Sequence, residues 1–247
     1  MFVFSKKKIV ILIIFIFLTA VFFTVKEDKE KIIEVVADPI SEKVIIIDAG
    51  HGKPDGGAES NSGIAEEEIN LKIALKVQQL LEQSGYVVIL TRSDENGIYD
   101  IDSKTIKEKK VSDLKNRVEI GNNSNAEMFI SNHLNKIELE QNSGYQTFYQ
   151  KDNELSKELA FFIQDNLNFA IQKENKREIL PLSGKYIMDN VKIPTVTVEC
   201  GFLSNMEEAN LLEKDDYQMK LAWGIYLGIM DYFYEWEIYW ILCKIMV

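Results

Sequence analysis

The chain has 247 residues, 46% of them hydrophobic and 27% charged, with a formal net charge of -11. That length and balance suit a globular fold with a sizeable core and exclude a disordered chain, while the negative charge argues against a general affinity for nucleic acid or anionic lipid. The two cysteines, Cys200 and Cys243, form neither a disulfide framework nor a CxxC metal pair.

The chain opens with Lys6, Lys7 and Lys8, followed by an uncharged apolar run from Ile9 to Val25. Seventeen residues is the low end for crossing a bilayer at 1.5 Å per residue. No Ala-x-Ala pattern follows, so the run reads as a transmembrane anchor rather than a cleaved signal segment. In either case the lysines of residues 1–8 stay on the cytoplasmic side, and the rest of the chain is exported as a membrane-anchored or secreted protein. Residues 26–43 form a charged tether broken at Asp38-Pro39, and the folded domain is expected from 44 to 234.

Val44 to Asp48 is a continuous apolar run ending in an acid, the signature of a strand covered on both faces. The turn Ala49-Gly50-His51-Gly52 follows, with glycines that let the backbone approach an ion or substrate. Ile69 to Gln83 reads as a helix with Ile69, Ile73, Val77 and Leu80 on one stripe and Gly85 as its cap. Extending that stripe backwards places Glu66 on the inward side. Glu67 falls a quarter-turn away and Glu68 points to solvent with Lys72, positions explained by the positive end of the helix dipole.

Tyr86 to Thr91 completes a βαβ unit. Ser93 to Lys110 is polar and aperiodic and reads as a long surface loop, with a helix starting at Ser112. Met128 to Ser131 is a third strand, followed by His133. Gly144 to Tyr149 alternates and suits a strand at a sheet edge. Glu154 to Gln172 is an amphipathic helix carrying Leu155, Leu159, Phe162, Ile163, Leu167 and Ile171. Ile179 to Asn190 reads as irregular, Thr195 to Val198 as a strand delivering Glu199, and Asn205 to Glu213 and Asp215 to Tyr234 as helices. The apolar, aromatic tail of residues 235–247 has no periodic polar face.

Ligands gather at the carboxyl ends of strands in open α/β sheets. Both histidines of the chain, His51 and His133, follow such strands, and Glu199 ends another. With Glu66 beside His51, two imidazoles and a carboxylate make the ligand set of a catalytic zinc that keeps one position open. Glu199 is then the carboxylate that moves a proton, and Asp48 and Asp55 are candidates to orient a histidine. Two other readings remain at this level. Cys200 could serve a hydrolase as its nucleophile, or close a structural metal site in a non-catalytic, membrane-tethered binding module.

The pieces IIIDAGHGKPDGGA, EEEINLKIALKV, ILTR, FISNHLN and IPTVTVECGFLSN, spread from Val44 to about Tyr232, resemble the zinc-dependent N-acetylmuramoyl-L-alanine amidases (amidase type 3) of peptidoglycan. SGYQTFY and LPLSGKYIMDNVKIP look closest to the subgroup acting on spore cortex in endospore-forming bacteria. The resemblance implies one three-layer α/β/α domain with a twisted, mostly parallel sheet. It also implies zinc held by His51, Glu66 and His133, with Glu199 as catalytic acid/base. The reaction implied is cleavage of the amide between N-acetylmuramic acid and L-alanine in peptidoglycan, the step that precedes muramic-δ-lactam formation. Cys200 stands where the family more often has a small or aliphatic residue, and the tail from about Glu235 has no counterpart.

Overall fold

The computed structural model describes residues 43–245. The expected anchor and tether lie outside them; among the described residues no helix is long and apolar enough to cross a membrane. The strands are β1 (Val44–Ala49), β2 (Val87–Leu90), β3 (Ala126–Asn135), β4 (Gln146–Gln150), β5 (Leu180–Leu182) and β6 (Thr195–Phe202). The helices are α1 (Glu66–Gln83), α2 (Ile106–Asn123), α3 (Glu154–Ile171), α4 (Tyr186–Asn190), α5 (Met206–Leu212) and α6 (Asp215–Ile245).

The fold is mixed α/β around one sheet of order β2-β1-β3-β6-β4-β5, in which only the β4–β6 pairing is antiparallel. Alternation along β1 explains its unbroken apolar sequence. Ile45 and Ile47 join Ile73 and Val77 of α1, Ile163 and Leu167 of α3, and Ile225 and Ile229 of α6. Ile46 faces the other way, into a smaller cluster with Val118 of α2 and Ile187 and Val191 around α4. Each such side chain contributes about 1.5–3 kcal/mol when fully buried. On the larger side, α3 and α6 approach closely because Gly224 and Gly228 face Leu167 and Ile163; a Cβ at Gly228 would lie 2.5 Å from the Ile163 Cα.

Several elements differ from their sequence expectations. Helix α2 begins at Ile106 rather than Ser112, because Thr105 and Glu108 form a capping box. The lysine-rich first turns hide that start by lacking an apolar period. They carry Lys110 to the sheet edge, where its Nζ lies 2.8 Å from Asp55. The stretch expected to be irregular holds β5 and α4, and β5 rather than β4 forms that edge of the sheet. Leu81, not Leu80, completes the buried stripe of α1, and Leu155 of α3 is 40% exposed. The backbone of α6 continues to Ile245, beyond Tyr234.

One polar knot lies inside this frame. Asp48, fully buried at the end of β1, accepts from Arg117 Nη1 at 2.5 Å, Thr91 Oγ1 at 2.6 Å and Ser131 Oγ at 2.5 Å. Burial opposes its ionisation, yet the Arg117 guanidinium and the two hydroxyls hold its carboxyl below the usual range. Arg117 is itself 1% exposed. Arg117→Met therefore leaves a buried carboxylate without its counter-ion, and urea unfolding should report a loss of about 3–5 kcal/mol. A loss below about 1 kcal/mol would remove the pair from the folding energetics.

Candidate metal centre and active site

The parallel pairing of β1, β3 and β6 brings their carboxyl ends to one edge of the sheet. His51 follows β1 by two residues, His133 lies within β3, and Glu199 sits on β6 directly opposite His133. Glu66 is the first residue of α1, where the N-cap position Ala65 offers no side-chain cap. Its carboxylate is held at the helix start by the Ala58 N–H at 2.8 Å and the Leu134 N–H at 3.0 Å. Asn70, one turn further along α1, donates to it at 3.3 Å.

The carboxylate of Glu66 lies between the two imidazoles, with Oε1 3.0 Å from His133 Nδ1 and Oε2 3.3 Å from His51 Nε2. One donor atom from each of His51, Glu66 and His133 falls within 4.8 Å of the others. Neighbouring ligands in a tetrahedral shell with bonds of about 2.0–2.1 Å lie roughly 3.3 Å apart. The donor set and its spacing therefore fit a small divalent cation. Two glycines keep the space open. A Cβ on Gly50 would meet the His133 ring at 2.4 Å, and one on Gly57 would meet Glu66 Oε2 at 2.6 Å. On its far side His51 Nδ1 lies 3.1 Å from Asp55 Oδ2, the orienting role considered for that acid. Asp48 instead spends its hydrogen bonds on the buried knot around Arg117.

Glu199 belongs to the same place. It lines a cleft of about 320 Å³ with His51, Glu66 and His133, walled on another side by Leu182 and Ile187. Its Oε2 is buried with no hydrogen-bond partner. Burial raises its pKa above the usual carboxylate value, with the charge of Glu66 adding to the rise and the histidines opposing it. The two acids thus diverge. Burial also opposes the ionisation of Glu66, but hydrogen bonds from His133 and His51 outweigh it and hold that carboxyl far below the ordinary range.

The sequence-predicted residues His51, Glu66, His133 and Glu199 come together, and Cys200 does not join them. The Cys200 side chain is fully buried, its thiol donates to the Val198 carbonyl at 3.6 Å, and burial pushes its pKa well above the ordinary thiol value. It is neither an activated nucleophile nor part of the cation cluster. Glu67, expected only to favour the helix dipole, is 3% exposed and lies 3.9 Å from Arg92, because the loop after β1 folds over it. Glu68 pairs with Lys72 at 2.6 Å on the surface, as its position on the helix implies. Asn70 was missed by the sequence reading, although its i+4 spacing from Glu66 was a usable signal.

A family model described as N-acetylmuramoyl-L-alanine amidase matches residues 45–231. The chain belongs to that family, whose members hydrolyse an amide of peptidoglycan. Among curated relatives, the germination-specific N-acetylmuramoyl-L-alanine amidase of Bacillus subtilis (strain 168) is 40% identical over 197 residues, covering 80% of this chain and 82% of its own. Among solved structures, the CwlD amidase of Clostridioides difficile, in complex with the GerS lipoprotein, is 48% identical with a TM-score of 0.75, covering 77% of this chain and 98% of that one. The catalytic domain of CwlV from Bacillus (Paenibacillus) polymyxa var. colistinus is 33% identical with a TM-score of 0.67, over 77% and 98% of the two chains.

The electrostatics of the centre set a pH dependence. Burial disfavours a proton on His51, but Asp55 and Glu66 outweigh it and raise the pKa to about 9. A cation bound at His51 must displace that proton, so affinity for a divalent cation should increase with pH up to about 9. Chelator competition at pH 6, 7 and 8 should show roughly a tenfold gain per pH unit for one exchanged proton. Equal affinity at all three values would mean that His51 carries no proton to displace.

Proposed function

We propose that the chain is a zinc-dependent N-acetylmuramoyl-L-alanine amidase of spore cortex peptidoglycan, in which His51, Glu66 and His133 hold the metal and Glu199 is the catalytic acid/base. The observation that carries this reading is the buried, unpartnered Oε2 of Glu199, facing the same cleft as the three clustered donors. An orphaned carboxylate oxygen costs folding free energy; Glu67 has one too, but only that of Glu199 lines the cleft, where a substrate or solvent group can become its partner. When bound, zinc supplies Lewis acidity towards a carbonyl oxygen and lowers the pKa of water.

The chain's own residues supply the proton traffic. Glu199 accepts a proton as a water oxygen bonds to the lactyl carbonyl carbon. It returns that proton to the L-alanine nitrogen as the C–N bond breaks, leaving a muramic acid carboxyl group and a free amino end. Its raised pKa suits the second half of that exchange, since a carboxyl that keeps its proton more readily can donate it near neutral pH. Leu182 and Ile187 supply apolar wall that reduces water around the reacting groups.

The cortex assignment is supported by likeness to the germination-specific relative; the place of this cut as the first step of muramic-δ-lactam formation follows only from the family resemblance of the sequence motifs. The N-terminal apolar run supports an anchor at residues 9–25, a tether at 26–43 and a catalytic domain at 44–234 outside the cytoplasmic membrane. By likeness to the Clostridioides difficile neighbour, a lipoprotein is a proposed partner of this chain.

The purified protein, incubated with peptidoglycan, should generate new L-alanine amino ends detectable by mass spectrometry. Release should stop with a chelator and return with zinc. Glu199→Gln should keep zinc and lose hydrolysis by a factor of about 100 or more, the scale of general acid–base catalysis. His51→Ala, Glu66→Ala and His133→Ala should each lose the metal. Normal turnover in Glu199→Gln would remove that residue from the reaction, and a fully zinc-loaded Glu66→Ala would shift the ligand role elsewhere.

A further inference from the structure

Arg92, just beyond β2, is 4% exposed, yet it makes no hydrogen bond to a carboxylate; Glu67 is 3.9 Å away. Its donors go to main-chain carbonyls instead. Nε donates to the Ala49 oxygen at 2.9 Å, Nη2 to the Gly50 oxygen at 3.1 Å and the Glu67 oxygen at 2.7 Å, and Nη1 to the Asp94 oxygen at 2.8 Å. Ala49 and Gly50 lead directly into His51, and Glu67 adjoins Glu66. One planar group therefore grips both segments that bring these two side chains together.

His51 itself needs such a grip. Its φ is +63°, in the left-handed region that non-glycine residues rarely adopt. Arg117 adds donors from the opposite side, to the Ala49 oxygen at 2.8 Å and the His51 oxygen at 2.5 Å. Asn70 closes the circuit by donating to both the Gly50 oxygen and Glu66 Oε1. The carbonyls of Ala49, Gly50 and His51 thus all accept from side chains, which holds the turn after β1 in one conformation.

We propose that Arg92 is a positioning residue of the metal centre, clamping the His51 turn to the start of α1 so that His51 and Glu66 meet a cation at a fixed separation. The proposal rests on the reading of His51, Glu66 and His133 as metal ligands. A lysine would keep the charge but not the planar fork, and a single ammonium cannot span acceptors on both segments as the guanidinium does.

The test uses the full chain and zinc itself, with affinity read by chelator competition at one pH and stability by thermal melting. Arg92→Lys should bind zinc about 10- to 100-fold more weakly, the usual cost of losing a group that orients ligands. Leu167→Ala, in the α3 core, should lower the melting temperature while leaving zinc affinity unchanged, which separates positioning from general loss of stability. Wild-type zinc affinity in Arg92→Lys would overturn the proposal. If His51→Ala loses zinc in the same series, the ligand assignment stands while the clamp falls. Failure of the wild type to bind zinc would overturn both. Should Arg92→Lys not fold, Arg92→Gln takes its place, with the same expected weakening and the same overturning result.

Discussion

The parallel pairing of β1, β3 and β6 is the constraint on which the site depends. Parallel strands place their carboxyl ends at the same edge of a sheet, and the register sets His133 opposite Glu199 with β1 ending beside them. A slip of one residue in β3 would turn His133 to the other face and send Phe129 and Ile130 into each other's environments. The register is defended by burial on both faces, since Ile46 and Phe129 pack on one side and Ile45, Ile47 and Ile130 on the other. Core packing and site geometry are therefore one requirement met by the same strands.

Electrostatics then divides the acids gathered at that edge. Glu66 is surrounded by donors (two imidazoles, two backbone N–H groups and Asn70) and stays ionised. Glu199 has an oxygen without any partner, and burial holds its pKa above the usual carboxylate value. Placing carboxylates in contrasting environments is how a protein obtains different acid–base behaviour from one side-chain chemistry. The divergence arises from hydrogen-bond inventory rather than from depth alone, because both side chains are largely withdrawn from solvent.

Beneath the cleft the two guanidiniums are fully engaged, although single oxygens of Glu67, Asn70 and Asn132 are buried without a partner. Arg117 satisfies Asp48 and the turn at His51, while Arg92 holds that turn to α1. Such buried ion pairs add little net stability over apolar packing, but losing one partner is expensive. Their value here lies in the conformation they specify. Members of this family share a reaction, and in this chain a strained residue, two guanidiniums and an asparagine determine how closely its histidine and glutamate approach.

Much of this was legible in the amino-acid sequence because the signals are local. The apolar run before His51, the period of α1 that pointed Glu66 inward, and the matching strand ends before His133 and Glu199 all follow from short-range periodicity. What escaped were features with weak or misleading local signals. The capped start of α2 lay hidden in a run of lysines and glutamates, and the three-residue β5 is too short to show a period. The burial of Glu67, the knot of Asp48 with Arg117, 69 residues away, and the grip of Arg92 on Gly50, 42 residues away, exist only once the strands have paired. Residue types and the strands that carry them were thus decided by the sequence alone, although β3 and β6 run on past His133 and Glu199 to Asn135 and Phe202. Distances between the donors, the opposite pKa shifts of Glu66 and Glu199, and the exclusion of Cys200 were decided by tertiary structure, since each depends on neighbours that local periodicity does not specify.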